Sequence, residues 1–424
     1  MAGPVPWSLL PDHATVDDDG LVIAGVGWRA LVEEFGTPLF VYDEEHLRAR
    51  CQEAVEAFGS GVDYATKAFL CTAMARLAHG EGMHLDVSTG GEYAVARAAG
   101  VPASDLVLHG NNKSTDELRT AMAEGIGRII VDSFDEIDRI EALVAEGLAV
   151  PAVLIRLTPG IEAHTHEYVQ TGQDDSKFGF GVHTGMAAEA VARAQSSPAM
   201  RLVGLHTHIG SQIFEAEFFE RAVGVVAPWF AEHPELSELS VGGGIGVAYV
   251  EGEDAPSITE WAEVVHRAVA AQGITVRVTA EPGRAIAAPA AVTLYTVGTV
   301  KDIPGIRTYV AVDGGMSDNP RPVLYGSGYE TFLARSPLAD RPATVTVVGK
   351  HCESGDVLVR DGSVPADLAV GDVLVTPVTG AYGHSMGSNY NKVTRPAVVF
   401  VRDGQARLVV RRETVDDLLA RDLG

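Results

Sequence analysis

The 424-residue sequence is poor in cysteine, in basic residues and in long apolar runs. Its three cysteines, Cys51, Cys71 and Cys352, are too few for a disulfide framework and agree with a reducing compartment. No stretch reaches the ~20 apolar residues that a membrane-spanning helix needs. The N-terminus carries neither the basic start nor the apolar run of an export signal. We therefore expect a cytoplasmic protein without a membrane segment.

The scarcity of basic residues limits the partners of the chain. Only 32 lysines and arginines stand against 57 acidic residues, which gives a net charge of −25. This excess of negative charge argues against nucleic acid and anionic membranes as partners. A small anionic ligand would need arginine, lysine or backbone N–H donors at its site, because the net negative charge of the protein repels it.

The length and the pattern of strands and helices predict two domains. Between about residues 38 and 285, short β-type runs alternate with amphipathic helical runs that close on glycine, from PLFVYD (38–43) to RVTAEPG (277–283). About eight such units favour a closed β/α barrel. An open, doubly wound sheet is the alternative, and it ranks behind because polar residues follow many successive strands instead of one switch point.

The rest of the chain has a different pattern of residues. Residues 286–424 alternate in the β manner between Gly and Asp-Gly turns and end in a short helix, which predicts a second, β-rich domain. Residues 1–37 are expected to add a strand to that domain before the barrel begins.

Several residues at the predicted strand ends can carry chemistry. Lys67 ends an early strand, where burial in a barrel mouth would lower its pKa and suit it to Schiff-base formation. A surface lysine is the commoner alternative. Asp86 and Glu92 flank a predicted helix start, and they serve either as ordinary capping residues or as neighbours of the Lys67 amine.

Three later strand ends add an imidazole pair, a glycine run and a carboxylate. His206 and His208 close LVGLHTHIG, Gly242–Gly246 closes the next strand, and Glu281 precedes Gly283 and Arg284. Together with the Lys67 amine, these groups match the parts of pyridoxal phosphate. The amine suits its aldehyde, an imidazole suits its ring face, the glycine run suits its phosphate, and the carboxylate suits its ring nitrogen. A metal site built on the His206 and His208 pair, as in barrel hydrolases, is the rival hypothesis. It ranks lower because the glycine nest has no role there.

A late cluster of side chains suits a zwitterionic substrate. It supplies a fixed cation, two phenols, a thiol and a carboxylate, namely Arg321, Tyr325, Tyr382, Cys352 and Glu353. Each has a plain alternative, since a free cysteine is usually a small buried apolar residue. Arg321 between prolines suits a solvated loop, and Tyr382 between glycines suits a turn.

Eight separated motifs together resemble one family. YATKA, LDVSTGGE, HTHIGSQ, GGGIG, AEPGR, DGGMSDNPRPVLYG, HCESGD and GAYGHSMGSNYN occur in the order found in diaminopimelate decarboxylases. The segment Pro159–Gly181 also resembles one that these enzymes carry between two barrel strands. The family belongs to the fold type III pyridoxal-phosphate enzymes, so the resemblance implies an alanine-racemase-like barrel followed by a C-terminal β domain.

The resemblance also implies roles for individual residues. Lys67 is expected to bind the cofactor covalently, His208 to stack on its ring and Glu281 to hold the ring-nitrogen proton. The remaining cofactor contacts are Asp86, Glu92, Ser211, Gly244, Gly283, Arg284 and Tyr382. The substrate contacts are Arg284, Arg321, Tyr325, Glu353 and Tyr382. Cys352 is expected to reprotonate the substrate carbon in the site of the opposite protomer, which implies a homodimer with shared active sites.

The implied reaction is the pyridoxal-phosphate-dependent decarboxylation of meso-2,6-diaminopimelate to L-lysine. Three alternatives stay open from the sequence: a related decarboxylase for another basic or carrier-bound amino acid, a non-catalytic homologue, and the metal hydrolase. No resident metal is expected on the preferred hypothesis.

Overall fold

The computed structural model describes residues 3–59, 61–161 and 175–424. It divides into two compact units. We call Arg50–Gly246 with Ala255–Ala285 the barrel unit. We call Met1–Ala49 with Val247–Asp254 and Ile286–Gly424 the β unit.

The chain begins in the β unit with a small antiparallel sheet. Its strands are β1 (Ala14–Asp17), β2 (Gly20–Ile23) and β3 (Val26–Gly27), in that order. The elements that follow are α1 (Trp28–Phe35), β4 (Leu39–Asp43) and α2 (Glu44–Phe58), the last of which leads into the barrel unit.

Eight parallel strands form the barrel unit's sheet in sequence order, with one short strand added at its side. The strands are β5 (Asp63–Ala65), β6 (His84–Val87), β7 (Leu106–Leu108), β8 (Arg128–Val131), β9 (Ala152–Thr158), β10 (Phe180–Gly181), β11 (Arg201–Thr207), β12 (Glu238–Ser240) and β13 (Arg277–Thr279). The short strand β10 pairs only with β9. Asp63 N–H donates to the Ala280 carbonyl at 2.9 Å, and Ala65 N–H donates to that of Pro282 at 3.2 Å. These bonds join the first strand to the chain after the last, so the predicted barrel is confirmed and the open sheet is wrong.

Helices follow the barrel strands: α3 (Thr72–Gly80), α4 (Gly90–Ala98), α5 (Thr115–Ala123), α6 (Phe134–Ala145), α7 (Met186–Ser196), α8 (Glu217–Glu232), α9 (Ile258–Ala271) and α10 (Arg284–Ala287). Capping boxes at Ser114 and Ser257 satisfy the first N–H groups of α5 and α9. Every residue of β9 is buried, as expected of a parallel strand covered on both faces.

The C-terminal part of the β unit carries most of its strands. The elements are β14 (Ala291–Ile303), β15 (Arg307–Val312), α11 (Arg321–Tyr325), β16 (Phe332–Leu333), β17 (Ala343–Val348), β18 (Val357–Val364), β19 (Val373–Pro377), β20 (Ala397–Arg402), β21 (Gln405–Val410) and α12 (Val415–Leu419). The main path of the sheet runs β18-β17-β15-β14-β4-β20-β21, and β19 pairs with β14 and β16.

The structure differs from one prediction about the N-terminal region and agrees in part with another. The run PLFVYD was assigned to the barrel, yet β4 pairs antiparallel with β14 and parallel with β20 in the β unit. The preceding residues belong to the β unit, as predicted, and their Leu21 and Ile23 join the apolar cluster of Val292 and Val399, but they form the separate sheet β1–β3 instead of adding one strand. A fully buried strand lacks an alternating pattern, so its sequence does not reveal which sheet it enters.

Part of the predicted insertion Pro159–Gly181 lies outside the described residues, namely 162–174. Among the residues that the structure does describe, no helix combines the length and the apolar character needed to cross a membrane.

A buried ion pair fastens two neighbouring strand ends of the barrel. Lys113 Nζ lies 2.9 Å from Glu136 Oε1, and both side chains are 1% exposed. The same ammonium donates to the carbonyls of Gly110 at 2.7 Å and Ile130 at 2.6 Å. Its three hydrogens are therefore used at the ends of β7 and β8.

We expect Lys113→Met to destabilise the protein strongly, because it leaves the Glu136 carboxylate buried without its cation. Breaking a buried pair in this way costs about 3–5 kcal/mol. Urea titrations followed by circular dichroism would measure the loss. The matched control is Arg119→Met, which removes an exposed ion-pair partner of Glu146 and should barely move the midpoint. Equal effects of both variants would contradict the role of the buried pair.

Candidate active site

Lys67 lies in a short helical turn, Thr66–Ala68, directly after β5. The Thr66 hydroxyl donates to the Asp86 carbonyl at 2.7 Å and so ties this turn to the end of β6. Lys67 is exposed, so the burial predicted for its side chain is not observed. Its positive charge acts on the pKa values of Asp86 and His208, which places the amine among the polar strand ends.

Asp86 is a buried carboxyl group beside this amine. It is 1% exposed, and neither of its oxygens has a hydrogen-bond partner among the described residues. Burial raises the pKa of Asp86 to about 8, although the Lys67 charge opposes the shift. Glu92 instead accepts the Ser88 N–H at 2.6 Å at the start of α4, as the capping interpretation predicted.

Glu281 is held as an anion inside the barrel. Its Oε1 accepts from the Ser240 hydroxyl at 2.7 Å and lies 2.9 Å from His206 Nε2. Burial works to raise the pKa of Glu281, but His206 and His109 outweigh it and leave this pKa well below its ordinary value. Sequence reasoning missed His109, whose Nε2 lies 3.6 Å from Glu281 Oε1, although its position directly after β7 was the available signal.

The two histidines of the HTH motif have different partners. His206 is fully buried against Glu281, whereas His208 lies beyond the end of β11 and accepts the Gly243 N–H on Nδ1 at 3.1 Å. Burial lowers the pKa of His208 well below its ordinary value, so the ring is neutral. The cluster of possible metal ligands found among the described residues includes His206 but not His208, which argues against the HTH pair of the rival metal hypothesis.

A glycine run forms a close backbone cradle next to His208. Gly244 has φ +111°, and a Cβ there would lie 2.1 Å from the Gly210 carbonyl oxygen, so a side chain does not fit. Ile213 N–H donates to the Gly244 carbonyl at 2.9 Å and holds the two segments together. Beside them Arg284 donates to the Ser211 hydroxyl at 2.9 Å, which brings a cation to the cradle.

Gly283 meets a similar constraint, since a Cβ there would lie 2.8 Å from the Ala65 carbonyl oxygen. The residues of the barrel unit thus fit pyridoxal phosphate. They offer an amine at Lys67, a carboxylate anion at Glu281 for a protonated ring nitrogen, and a glycine cradle with Arg284 for a phosphate.

In the β unit, Arg321 begins α11 and is not a solvated loop cation. It is 4% exposed, and its guanidinium carbon lies 4.0 Å from the centre of the Tyr249 ring. One nitrogen donates to the Tyr329 hydroxyl at 2.8 Å. The buried Nε of Arg321 has no hydrogen-bond partner among the described residues, which is the arrangement expected before an anion binds. Sequence reasoning found Arg321 and Tyr325 but missed both of these aromatic neighbours.

Tyr382 is half-buried and has φ +60°, a conformation that costs a tyrosine roughly 1–3 kcal/mol. The predicted turn is therefore present and strained. Gly380 two residues earlier could not carry a side chain, since its Cβ would lie 1.8 Å from the Ala287 carbonyl oxygen.

Cys352 is exposed, unlike Cys51 and Cys71, so it is not a small buried apolar residue. Its N–H donates to Asn391 Oδ1 at 3.0 Å. The neighbouring Glu353 is also exposed.

Asp356 positions the loop that carries these two side chains. Its carboxylate accepts the His351 N–H at 2.9 Å and the Met316 N–H at 2.7 Å. His351 Nε2 also lies 2.8 Å from the Ser317 hydroxyl. The HCES loop is thus fixed to the loop that leads to Arg321.

The site residues predicted from the sequence fall into two sets. The barrel unit carries Lys67, Asp86, Glu92, His208, Ser211, Gly244, Glu281, Gly283 and Arg284. The β unit carries Arg321, Tyr325, Cys352, Glu353 and Tyr382.

Comparison with known proteins gives consistent matches. Residues 44–288 match a family described as pyridoxal-dependent decarboxylase, pyridoxal binding domain. A diaminopimelate decarboxylase of Mycobacterium tuberculosis is 48% identical over 434 residues, which cover 97% of this chain and 97% of the relative. The enzyme of the same name from Bacillus subtilis is 46% identical, with 95% of each chain covered.

A solved structure agrees with these sequence matches. Diaminopimelate decarboxylase from M. jannaschii, in complex with L-lysine, superposes with a TM-score of 0.90 at 30% identity. The superposition covers 97% of this chain and 98% of that one.

The raised pKa of Asp86 predicts a pH-dependent effect of Asp86→Asn in the cofactor-free protein. Between about pH 4, where the unfolded carboxyl group ionises, and pH 8, the folded wild type keeps a proton that the unfolded chain has lost. Wild-type stability therefore falls as pH rises through this window, and the contribution is constant above it. Relative to wild type, the variant should gain stability up to about pH 8 and then level off.

Urea midpoints measured at several pH values would test this expectation. The control is Glu263→Gln at an exposed position of α9, which should show no comparable trend. A difference between Asp86→Asn and wild type that does not vary with pH would show that the carboxyl group has an ordinary pKa.

Proposed function

Because the chain belongs to the pyridoxal-dependent decarboxylases, and within them to the diaminopimelate decarboxylases, we propose that it converts meso-2,6-diaminopimelate to L-lysine and carbon dioxide. The observation that carries this proposal is the 48% identity over nearly the full length of both chains. When bound, pyridoxal phosphate supplies an aldehyde for the substrate amine and a ring that takes up the electron pair left by the departing carboxylate.

The barrel unit would hold this cofactor. Lys67 would bind it covalently, and its amine would later release the product. The neutral His208 ring suits stacking, and the Glu281 anion keeps a protonated ring nitrogen charged, which favours electron withdrawal from the substrate carbon. Ser211, Gly244 and Gly283 would meet the phosphate, and the hydrogen bond of Arg284 to Ser211 favours a phosphate role for this arginine as well.

The β unit would select the substrate. Arg321 would pair with the carboxylate that is retained at the L end, since its buried Nε is a donor in need of an acceptor. Tyr325 would contact the same end of the substrate, and Glu353 would bind the distal ammonium. Tyr382 would contact both the substrate and the cofactor. A second carboxylate distinguishes diaminopimelate from lysine and ornithine, and Arg321 is the group that can recognise it.

Cys352 would return a proton to the carbon that loses the carboxylate. We propose that Cys352 and Glu353 serve the site of a second protomer, which makes the active protein a homodimer. The exposure of both side chains supports this proposal, because a group that acts in another chain must face outward. We propose a cytoplasmic location, as the composition indicates.

A substrate panel tests the proposed reaction against the nearest alternative, a decarboxylase for another basic amino acid. Carbon dioxide release should be at least about 10²-fold faster with meso-diaminopimelate than with L-lysine, D-lysine or L-ornithine, because a buried charged hydrogen bond is lost with the last three. In Arg321→Gln this preference should collapse while cofactor absorbance is kept. Turnover of L-lysine or L-ornithine without turnover of diaminopimelate would overturn the proposal.

Mixing two inactive variants tests the shared sites. Lys67→Ala loses the covalent link to the cofactor, and Cys352→Ala loses the proton donor, so each alone should lose at least about 10²-fold in rate. Hybrid dimers would combine one intact Lys67 with the intact Cys352 of the other protomer. An equal mixture should therefore recover up to about a quarter of wild-type activity.

The controls are each variant alone taken through the same dissociation and reassociation, which should stay inactive. Sedimentation velocity would report the dimer directly. A mixture that exchanges protomers without recovering activity would place Lys67 and Cys352 in the same protomer's site.

A further inference from the structure

The barrel interior contains a cluster of three buried groups that can bind a metal. One ligand atom from each of His109, His206 and Glu281 lies within 4.8 Å of the other two. His206 Nε2 lies 2.9 Å and His109 Nε2 lies 3.6 Å from Glu281 Oε1. The two rings meet edge to face, with centroids 5.2 Å apart.

These distances resemble those of a zinc site. Zinc holds imidazole nitrogen and carboxylate oxygen at about 2.0–2.2 Å, so neighbouring ligands of a tetrahedral site lie roughly 3.3 Å apart. The two measured separations fall on either side of this value. Two imidazoles with one carboxylate also form a ligand set used by catalytic zinc, which keeps a fourth position open.

Two further observations point to a cation at the cluster. His109 Nε2 is buried and has no hydrogen-bond partner among the described residues, so a ligating nitrogen is available. Asp86 Oδ1 lies 3.8 Å from the same nitrogen, and neither oxygen of Asp86 has a described hydrogen-bond partner. The cluster thus combines two carboxyl groups with an imidazole nitrogen that lacks a partner, and a divalent cation would satisfy all three.

We propose that the cofactor-free protein binds one divalent transition-metal ion of the zinc class through His109, His206 and Glu281, with Asp86 beside it. A metal held by Glu281 would place a dication beside the protonated ring nitrogen that the same carboxylate would hold, and these two cations repel each other. Metal and pyridoxal phosphate therefore exclude one another. The exclusion rests on the proposed function, whereas the metal site itself rests only on the cluster.

Titration of the cofactor-free chain with Co²⁺ tests the site. We expect one equivalent to bind with the intense visible absorption of low-coordinate cobalt, and isothermal titration with Zn²⁺ to give the same stoichiometry. His109→Gln and His206→Gln should each weaken binding at least about 10-fold, since each removes one of three ligands. The matched control is His79→Gln, a half-exposed histidine paired with Asp105 elsewhere in the barrel unit, which should leave binding unchanged.

Displacement of the metal by pyridoxal phosphate can be tested in the wild-type protein, so this test does not depend on whether a variant folds. Addition of pyridoxal phosphate to the zinc-loaded chain should release one equivalent of metal to a chromogenic chelator, and excess zinc should slow the appearance of the cofactor's protein-bound absorbance. Absence of cobalt binding, or binding that both cluster variants retain, would overturn the metal site.

Simultaneous binding of metal and cofactor would overturn only the exclusion. Carbon dioxide release by the cofactor-loaded enzyme in metal-free buffer reports on the proposed function separately. It should persist whether or not the metal site exists, and its absence would count only against the proposed function.

Discussion

One buried anion sets the architecture of the barrel unit. An ionised carboxylate inside a protein is stable only where hydrogen-bond donors and cations replace its water. Glu281 receives them from Ser240 at the end of β12 and from His206 in β11, the two strands that precede β13 in the barrel. The carboxylate is therefore stable as an anion only when these strands are in register. The strand pairing that folds the barrel unit thus also sets the charge of the site.

The glycine cradle follows from the same close packing. A Cβ at Gly243 would lie 2.1 Å from the Glu281 carbonyl oxygen, and one at Gly242 would lie 2.5 Å from that of Thr207. The chain after β12 thus runs directly against the backbone of its two neighbours, and only glycine permits this approach. The same approach brings the Gly243 N–H to His208 and fixes the orientation of that imidazole. The glycine cradle, the His208 ring and the Glu281 anion are consequently positioned by the same backbone contacts.

Site residues that directly follow predicted strands could be predicted from the sequence. Residues and strands whose role depends on a contact with a distant part of the chain could not. Lys67 and Glu281 were identifiable because parallel strands bring their carboxyl ends to one edge, a rule that needs only the order of elements. His109 was missed because a single histidine after a strand carries no motif, and its meaning depends on Glu281 across the barrel. Likewise β4 was misassigned because its five buried residues fit any sheet interior, and its pairing with β14 is a long-range choice.

In the β unit, the loop that carries Cys352 and Glu353 combines exposed side chains with a fixed backbone. Cys352 and Glu353 are exposed, yet Asp356 and Asn391 fix the backbone of their loop to two other segments. The buried Asp356 carboxylate offsets its desolvation by accepting two backbone N–H groups, which holds the loop in one conformation. Exposed side chains on a fixed backbone meet the needs of a group that must act at a defined point outside its own chain. This combination suits the homodimer proposed above.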